Sequence, residues 1–267
     1  MLIDGRAIAR ELKRELKNAL SHTNIRPHLT VFTCEPNFET QKFLALKKRI
    51  ADEVGIGINV IEFPEMITTD EVVQSINHAA IQTDGMIVQL PFPPHIKIDE
   101  VLAAIPEGYD ADAAHYAGEA ANVLPPVVGA IDEIAKRYGI PFAGRSVVVV
   151  GKGRLVGRPA AAWASHMGAQ VSVVTRETND LDLRVREADI LILGAGRANL
   201  ITPELVKDGA VIFDAGTSEA NGVLVGDADP RCAEKALYMT PVPGGIGPIT
   251  IIVLLRNVFL LAQTGKR

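Results

Sequence analysis

The sequence predicts an α/β protein of two domains, because a proline-rich segment separates two stretches of alternating helices and strands. The first stretch runs to Leu90 in the order helix, strand, helix, strand, helix, strand, which is typical of α/β domains. The second begins after Gly144 with the apolar run SVVVV and a glycine-rich turn. Six prolines interrupt the pattern between Pro91 and Val128. We expect this intervening segment to be a linker.

The spacing of apolar residues predicts the elements of the first domain in order. They are a helix at 7–20, a strand at 29–32, a helix at 40–54 and a strand at 57–63. Thr69 is expected to cap a helix that continues to residue 81, with Asp70 and Glu71 in its first turn. The run DGMIVQL at 84–90 is typical of a strand buried on both faces of a parallel sheet.

The second domain is predicted to begin with a strand at 146–150, a glycine turn and a helix at 156–167. Further strands are expected at 169–174, 189–193 and 210–213. The last helix, at 248–262, is almost wholly apolar, so we expect it to pack on the first domain. The predicted bounds are therefore 1–122 with 248–267 for one domain and 123–247 for the other.

Composition excludes several classes of protein. The chain has 267 residues, 48% of them hydrophobic, which is enough for a full core. Its net charge of -5 offers no sign of a nucleic-acid partner. Two distant cysteines, Cys34 and Cys232, suggest neither a disulfide framework nor a metal site. With no signal-peptide core and no uninterrupted apolar span, we expect a cytoplasmic protein without a membrane partner.

A glycine-rich turn joins the strand SVVVV to the next helix. Gly151, Gly153 and Gly157 allow backbone amides and the helix N-terminus to approach a pyrophosphate, so the turn predicts a dinucleotide site. A tight structural turn is the alternative. The next strand ends in Thr175 and Arg176, which with Lys152 provides two cations where a 2'-phosphate is read. NADP is favoured over NAD, although Glu177 is close and both cations could simply be solvated.

Four polar side chains are candidates for a substrate site. Lys47 borders the buried face of its helix, where a lysine usually keeps its amine in solvent. Gln89 ends a buried strand at the carboxyl edge, where open α/β sheets bind ligands. Asp110 and Asp112 lie in the linker, where an acid could pair with an amidine-like ring edge or remain solvated. Near the C-terminus, PVPGGIGPIT at 241–250 forms either a rigid loop against a flat ligand or an interdomain hinge.

With these motifs the chain resembles the bifunctional methylenetetrahydrofolate dehydrogenase/cyclohydrolase (FolD) family. DGRAIA, DGMIVQLPFP, VVVVGKGRLVGRP and TPVPGGIGPIT occur in the family's order, so the resemblance runs nearly end to end. It implies an α/β folate-binding domain, a Rossmann-type parallel-sheet NAD(P) domain and a cleft between them. It also implies NADP as cofactor, a tetrahydrofolate-type substrate and a homodimer.

The resemblance assigns roles by position. Lys47 matches the catalytic lysine, Gln89 the active-site glutamine and Asp112 the aspartate that binds the pterin. Phe43 stands where the family has a tyrosine, four residues before the lysine, and is expected to contact substrate. Pro243, Gly244 and Gly245 match the loop at the nicotinamide and folate end. The cofactor contacts implied are Gly151, Lys152, Gly153, Val156, Gly157, Arg176 and Thr217.

Two reactions are implied: oxidation of 5,10-methylenetetrahydrofolate with NADP+, and hydrolysis of the methenyl product to 10-formyltetrahydrofolate. One alternative is a monofunctional methylene-pterin dehydrogenase, because Phe43 lacks the family's hydroxyl. Another is a catalytically silent paralogue that binds nucleotide. The presence of Lys47, Gln89, Asp112 and the whole proline-glycine loop favours an enzyme, since binding alone would not require all of them.

Overall fold

A computed structural model describes residues 1–119, 121–220 and 222–264 of the chain. It divides into two compact units. The three-stranded unit comprises Glu11–His115, Asn122–Leu124 and Ile251–Arg267, and the five-stranded unit comprises Met1–Arg10, Tyr116–Ala121 and Pro125–Thr250. The first ten residues go with the five-stranded unit because the Met1 and Ile3 backbones exchange hydrogen bonds with Met239. The predicted domain bounds, 1–122 with 248–267 and 123–247, were assigned by function and stay a prediction.

The helices and strands follow the α/β order that the sequence predicts. The helices are α1 (Gly5–Ser21), α2 (Phe38–Val54), α3 (Thr69–Ala79), α4 (Ile98–Ala103), α5 (Pro126–Tyr138), α6 (Gly157–His166), α7 (Leu181–Glu187) and α8 (Ile246–Gln263). The strands are β1 (His28–Cys34), β2 (Gly57–Phe63), β3 (Gly85–Val88), β4 (Ser146–Val150), β5 (Gln170–Val174), β6 (Ile190–Leu193), β7 (Val211–Asp214), β8 (Ser218–Ala220), β9 (Val223–Val225) and β10 (Tyr238–Met239).

In the three-stranded unit, β1 lies between β2 and β3, and both pairings are parallel. Every residue of β1 after His28 is buried. On one face, the Phe32 ring stacks on the Phe63 ring with 6.2 Å between centroids. This core holds the carboxyl ends of the three strands at one edge, where polar side chains can meet.

In the five-stranded unit, the main sheet has the strand order β10-β7-β6-β4-β5 with parallel pairings, and β8 and β9 form a separate antiparallel pair. The interior strands are almost continuously apolar because both faces are covered. The chain leaves β4 toward β5 on one side and returns to β6 on the other. This reversal creates the switch point at which open parallel sheets bind nucleotides.

The predicted cap of α3 is wrong by one residue. Thr68, not Thr69, is the N-cap: its hydroxyl accepts from the Glu71 N–H, and the Glu71 carboxylate accepts from the Thr68 N–H at 2.9 Å. This is a capping box, and its second hydrogen bond favours the earlier threonine. Thr69 instead accepts from the Lys97 N–H at 3.1 Å. The helix ends at Ala79, two residues before the predicted end.

Several elements were not predicted, and α5 is the longest of them. It begins at Pro126, within the segment that the prolines mark as a linker. A proline in the first helical turn removes an N–H that would have no partner there, so it starts a helix as readily as it interrupts one. The remaining unpredicted elements are α4, α7, β8, β9 and β10.

The C-terminal helix α8 is the most apolar segment. By length and composition alone it could cross a membrane, a property that it shares with the core helices of globular proteins, and 61% of it is buried. From Ile251 onward it belongs to the three-stranded unit. Its Val258 side chain lies against Gly85 of β3, where an added methyl carbon would be 3.1 Å from Cγ2.

Candidate active site

Lys47 and Gln89 meet in the three-stranded unit although 42 residues separate them. The Lys47 Nζ donates to the Gln89 Oε1 at 2.6 Å. Gln89 directly follows β3, and its backbone N–H donates to the Phe32 carbonyl at 2.8 Å, which fixes it at the edge of the sheet. The Gln89 Nε2 donates to the Leu90 carbonyl, so the amide turns its oxygen toward the lysine.

Burial shifts the proton affinities of this site. It lowers the pKa of Lys47, and the nearby Asp112 carboxylate opposes that effect. Burial also raises the pKa of Asp112 to about 6, against the attraction of Lys47 and with a smaller contribution from Asp110. The pKa of each group is therefore nearer to neutral pH than it is in water, as expected of groups that transfer protons or bind a polar ring.

The two linker acids have different environments. Asp110 is 3% exposed and its carboxylate accepts from the Ala114 N–H at 2.6 Å, so it anchors the linker. The Ala111 N–H donates to the Met86 carbonyl of β3. Asn257 of α8 donates from Nδ2 to the carbonyls of Ala111 and Leu124, at 2.9 and 2.8 Å. These contacts hold the backbone on either side of Asp112.

The structural role of Asn257 was missed by sequence reasoning. Its side chain is 2% exposed within a helix that is otherwise almost entirely apolar. A lone amide at such a position was the available signal, because a buried polar side chain needs hydrogen-bond partners. Phe43, in contrast, is 55% exposed and lies one helical turn before Lys47. Its contact with substrate stays a prediction.

The glycine turn of the five-stranded unit has the shape of a phosphate cradle. Gly151 has φ of +105°, and a side-chain carbon there would be 2.6 Å from the Gly194 carbonyl oxygen. A carbon at Gly157 would overlap the Gly151 carbonyl, whereas one at Gly153 would meet only Gly194, at 4.0 Å. No side chain caps the first turn of α6. The residues present therefore fit a pyrophosphate.

The two predicted phosphate cations, Lys152 and Arg176, are exposed. The Lys152 Nζ lies 3.5 Å from the Glu177 Oε2. Val156 packs its side chain toward Gly194, where an added carbon would lie 2.5 Å from the valine Cγ1. Their roles in cofactor binding stay predictions.

Two buried carboxylates, which the sequence analysis did not single out, organise the loops after β6 and β7. Asp227 is fully buried and accepts three backbone N–H bonds from the β6 loop; Asp214 is 1% exposed and accepts three from the segments after β7 and β9. Burial raises the pKa of Asp214 to about 6. The donors to Asp227 are Ala195, Gly196 and Arg197, and those to Asp214 are Gly216, Asp227 and Ala228.

Thr217 and the proline-glycine loop complete the predicted positions. Thr217 is exposed between β7 and β8, and its carbonyl lies 3.9 Å from the side-chain position of Gly196. The Gly245 N–H donates to the Pro241 carbonyl at 2.7 Å, which closes a turn before α8. Pro243 at its tip is exposed and Gly244 half-buried. The ligands of this loop stay a prediction.

Comparison with known proteins matches both parts of the chain to one family. The models described as tetrahydrofolate dehydrogenase/cyclohydrolase, catalytic domain and NAD(P)-binding domain match residues 3–112 and 125–266. The bifunctional protein FolD of Nitrosomonas europaea is 36% identical over 99% of this chain and 94% of its own length.

Solved structures agree. The bifunctional FolD enzyme of Campylobacter jejuni is 34% identical, with a TM-score of 0.95 over 99% of each chain. The Trypanosoma brucei FolD, solved with NADP cofactor and an inhibitor, is 30% identical, with a TM-score of 0.91 over 100% of this chain and 98% of its own.

Proposed function

This chain belongs to the tetrahydrofolate dehydrogenase/cyclohydrolase family, and we propose that it oxidises 5,10-methylenetetrahydrofolate with NADP+ and hydrolyses the methenyl product to 10-formyltetrahydrofolate. The observation that carries this proposal is the 2.6 Å hydrogen bond between Lys47 and Gln89. It joins a lysine of lowered pKa to an oriented amide in a unit that matches the family's catalytic domain.

In the first step, a hydride leaves the methylene carbon and a methenyl cation remains. Bound NADP+ supplies the hydride acceptor. The Gly151–Gly157 turn and the uncapped start of α6 would hold the pyrophosphate, while Lys152 and Arg176 would favour the 2'-phosphate. Because no proton moves at the reacting carbon, this step depends mainly on alignment of the two carbons.

In the second step, water forms a C–O bond with the methenyl carbon and gives a proton to the Lys47 amine. The bond from that carbon to N5 then breaks, and the hydroxyl proton passes to N5. A lowered pKa increases the neutral fraction of Lys47 that can take the proton. The Gln89 oxygen holds the amine in position for the transfer.

Asp112 binds the pterin in this proposal. An ionised carboxylate accepts two hydrogen bonds from an aminopyrimidine edge, and a charged partner strengthens them. The backbone contacts of Ala111 keep the acid near the lysine. Within the three-stranded unit, Phe43 contributes an apolar surface for the substrate. In the five-stranded unit, the Pro243–Gly245 turn offers its backbone to a ligand.

We further propose a cytoplasmic homodimer that associates through the five-stranded unit. β5 is one of the two edge strands of the sheet, paired only with β4, and its Val173 is 43% exposed. The two cysteines are free and buried, as suits a reducing compartment. Residues 1–122 with 248–267 serve folate chemistry and 123–247 serve the cofactor. Sedimentation equilibrium tests the assembly, and a monomer at micromolar concentration would contradict it.

The two reactions can be assayed separately. The protein should produce reduced nicotinamide from methylenetetrahydrofolate and NADP+, and it should accelerate the loss of methenyltetrahydrofolate absorbance over buffer. Oxidation with no accelerated hydrolysis would identify a monofunctional dehydrogenase, the alternative that Phe43 favours. Nucleotide binding without either reaction would identify a silent paralogue and overturn the proposal.

A further inference from the structure

An ion pair lies across the mouth of the cofactor turn. Lys152 belongs to the glycine turn after β4, and Glu177 belongs to the turn after β5, with 3.5 Å between Nζ and Oε2. Their side chains are 65% and 66% exposed, so both can reach a ligand from solvent. The lysine is thus already matched with an anion of the protein itself.

The turn that carries Glu177 is well fixed. The Thr175 hydroxyl accepts from the Glu177 N–H at 3.3 Å, and the Thr178 hydroxyl accepts from the Thr175 N–H at 3.0 Å. The Thr178 N–H also donates to the Thr175 carbonyl. These hydrogen bonds hold the Glu177 backbone at the carboxyl end of β5, where a Rossmann-type unit distinguishes the two nicotinamide cofactors.

The Glu177 carboxylate has opposite effects on a cofactor with a 2'-phosphate and on one with a 2'-hydroxyl. A 2'-phosphate carries negative charge and attracts the Lys152 ammonium group, so it competes with Glu177 for that group. A ribose 2'-hydroxyl carries no charge and can donate a hydrogen bond to the carboxylate. Glu177 therefore disfavours the phosphorylated cofactor and tolerates the other.

We propose that Glu177 is a specificity-determining residue that lowers the preference of the enzyme for NADP+ over NAD+ by competing for Lys152. The inference rests on the proposed function, because it concerns the cofactor of that reaction. It predicts a cofactor preference that is weaker than Lys152 and Arg176 alone would give.

The direct test is calorimetric titration of Glu177→Gln with NADP+ and with NAD+. The dissociation constant for NADP+ should fall about fivefold, equivalent to about 1 kcal/mol and typical of the stronger exposed ion pairs, while that for NAD+ should not fall. The ratio of kcat/KM values for the two cofactors should shift equally, through KM. High salt should reduce the gain, because exposed charges are screened.

Glu187→Gln is the matched control. Glu187 is an exposed glutamate at the end of α7, before the amino end of β6 and so at the edge opposite the glycine turn. The Glu187→Gln substitution removes the same charge from the same unit. The ratio of its kcat/KM values for NADP+ and NAD+ should therefore equal that of the wild type. If both variants gain equally, general charge repulsion explains the effect and the proposal is overturned.

Lys152→Gln isolates the competition. In that background Glu177→Gln should give no further gain for NADP+, whereas an undiminished gain would overturn the role of Lys152. Failure of the inference differs from failure of the proposed function. A wild type that oxidises methylenetetrahydrofolate, with an unchanged ratio in Glu177→Gln, overturns only the inference. A wild type that binds NADP+ but does not oxidise this substrate overturns only the function.

Discussion

The two candidate binding regions are built in opposite ways. In the three-stranded unit, Lys47, Gln89 and Asp112 come from three separate segments, and in the proposed function their side chains carry the chemistry. In the five-stranded unit, the glycine turn works through missing side chains, because carbons at Gly151 or Gly157 would meet backbone. Substitutions that remove polar atoms should therefore impair the first region, whereas substitutions that add atoms should impair the second.

Electrostatics differ in the same way. Asp112 is half-buried near the Lys47 cation, and in the proposed site its charge is available to a ligand. Asp227 is also buried, but its carboxylate is occupied by three N–H groups of the β6 loop. Asp112 is therefore left for a ligand in the proposed site, while Asp227 fixes a loop.

Lys47→Ala should give the largest effect. General acid-base catalysis contributes about 10²- to 10⁴-fold, so hydrolysis of methenyltetrahydrofolate should fall by that order. Oxidation should fall much less, because it needs no base at the reacting carbon, and methenyltetrahydrofolate should accumulate during turnover. Stopped-flow absorbance follows both steps. Lys48→Ala, an exposed neighbour on α2, is the control. Unchanged hydrolysis in Lys47→Ala would reduce the lysine to a helix-edge residue.

Asp112→Asn should weaken folate binding by about 1.5 to 3 kcal/mol, the range for hydrogen bonds with a charged group. Because the pKa of Asp112 is about 6, wild-type affinity should fall as pH drops through 6, and the variant should lose this dependence. Calorimetry from pH 5 to 8 checks both. An unchanged affinity would remove Asp112 from the site.

The same group affects stability with a definite sign. Its pKa is raised from 3.8 to about 6 on folding, so the folded state holds a proton that the unfolded chain has released. The contribution of Asp112 to the free energy of unfolding therefore declines as pH rises through this window. Asp214 adds a similar pH dependence to the free energy of unfolding of the wild type and of Asp112→Asn. The difference between these two proteins is therefore the informative quantity.

Gly157→Ala should destabilise the five-stranded unit by about 1 to 3 kcal/mol, the cost of overpacking, since the new carbon overlaps the Gly151 carbonyl. It should also weaken NADP+ binding by distorting the turn. Gly153→Ala is the matched control, because its carbon meets only Gly194, at 4.0 Å. Denaturant unfolding compares the two, and equal stability would show that the turn relaxes.

The sequence predicted the elements around the glycine turn better than the meeting of Lys47 with Gln89, for a physical reason. Strand β4, the glycine turn and α6 are contiguous, so their pattern is local. The meeting of Lys47 with Gln89 depends on how α2 packs on the sheet, where it contacts β2, and no local pattern contains that packing. From pattern alone Lys47 was an ordinary edge lysine, and only resemblance to a family singled it out.

The errors have equally local causes. Pro125 and Pro126 were interpreted as breaks, yet Pro126 begins α5, because a proline is compatible with the first turn of a helix. Thr68 and Thr69 are both good caps by type, and only the position of Glu71 three residues later distinguishes them. The roles of Asn257 and Asp227 depend on backbone partners distant in sequence, which apolar periodicity does not predict.

Phe43→Tyr should produce the smallest change and the sharpest comparison within one site. The ring is 55% exposed one turn before Lys47, and side chains four residues apart on a helix can meet. A hydroxyl there can hydrogen-bond the amine and relay a proton, so methenyltetrahydrofolate hydrolysis should rise about fivefold, the worth of a hydrogen bond of about 1 kcal/mol. Oxidation should not change.

Phe38→Tyr provides the control, because Phe38 is 69% exposed on the first turn of the same helix and carries Lys42 over its ring. That variant should hydrolyse at the wild-type rate. The gain from Phe43→Tyr should also vanish in the Lys47→Ala background, since the hydroxyl acts through the amine. A gain that survives without Lys47 would mean that the tyrosine activates water by itself, and the lysine would no longer be needed to explain the second step.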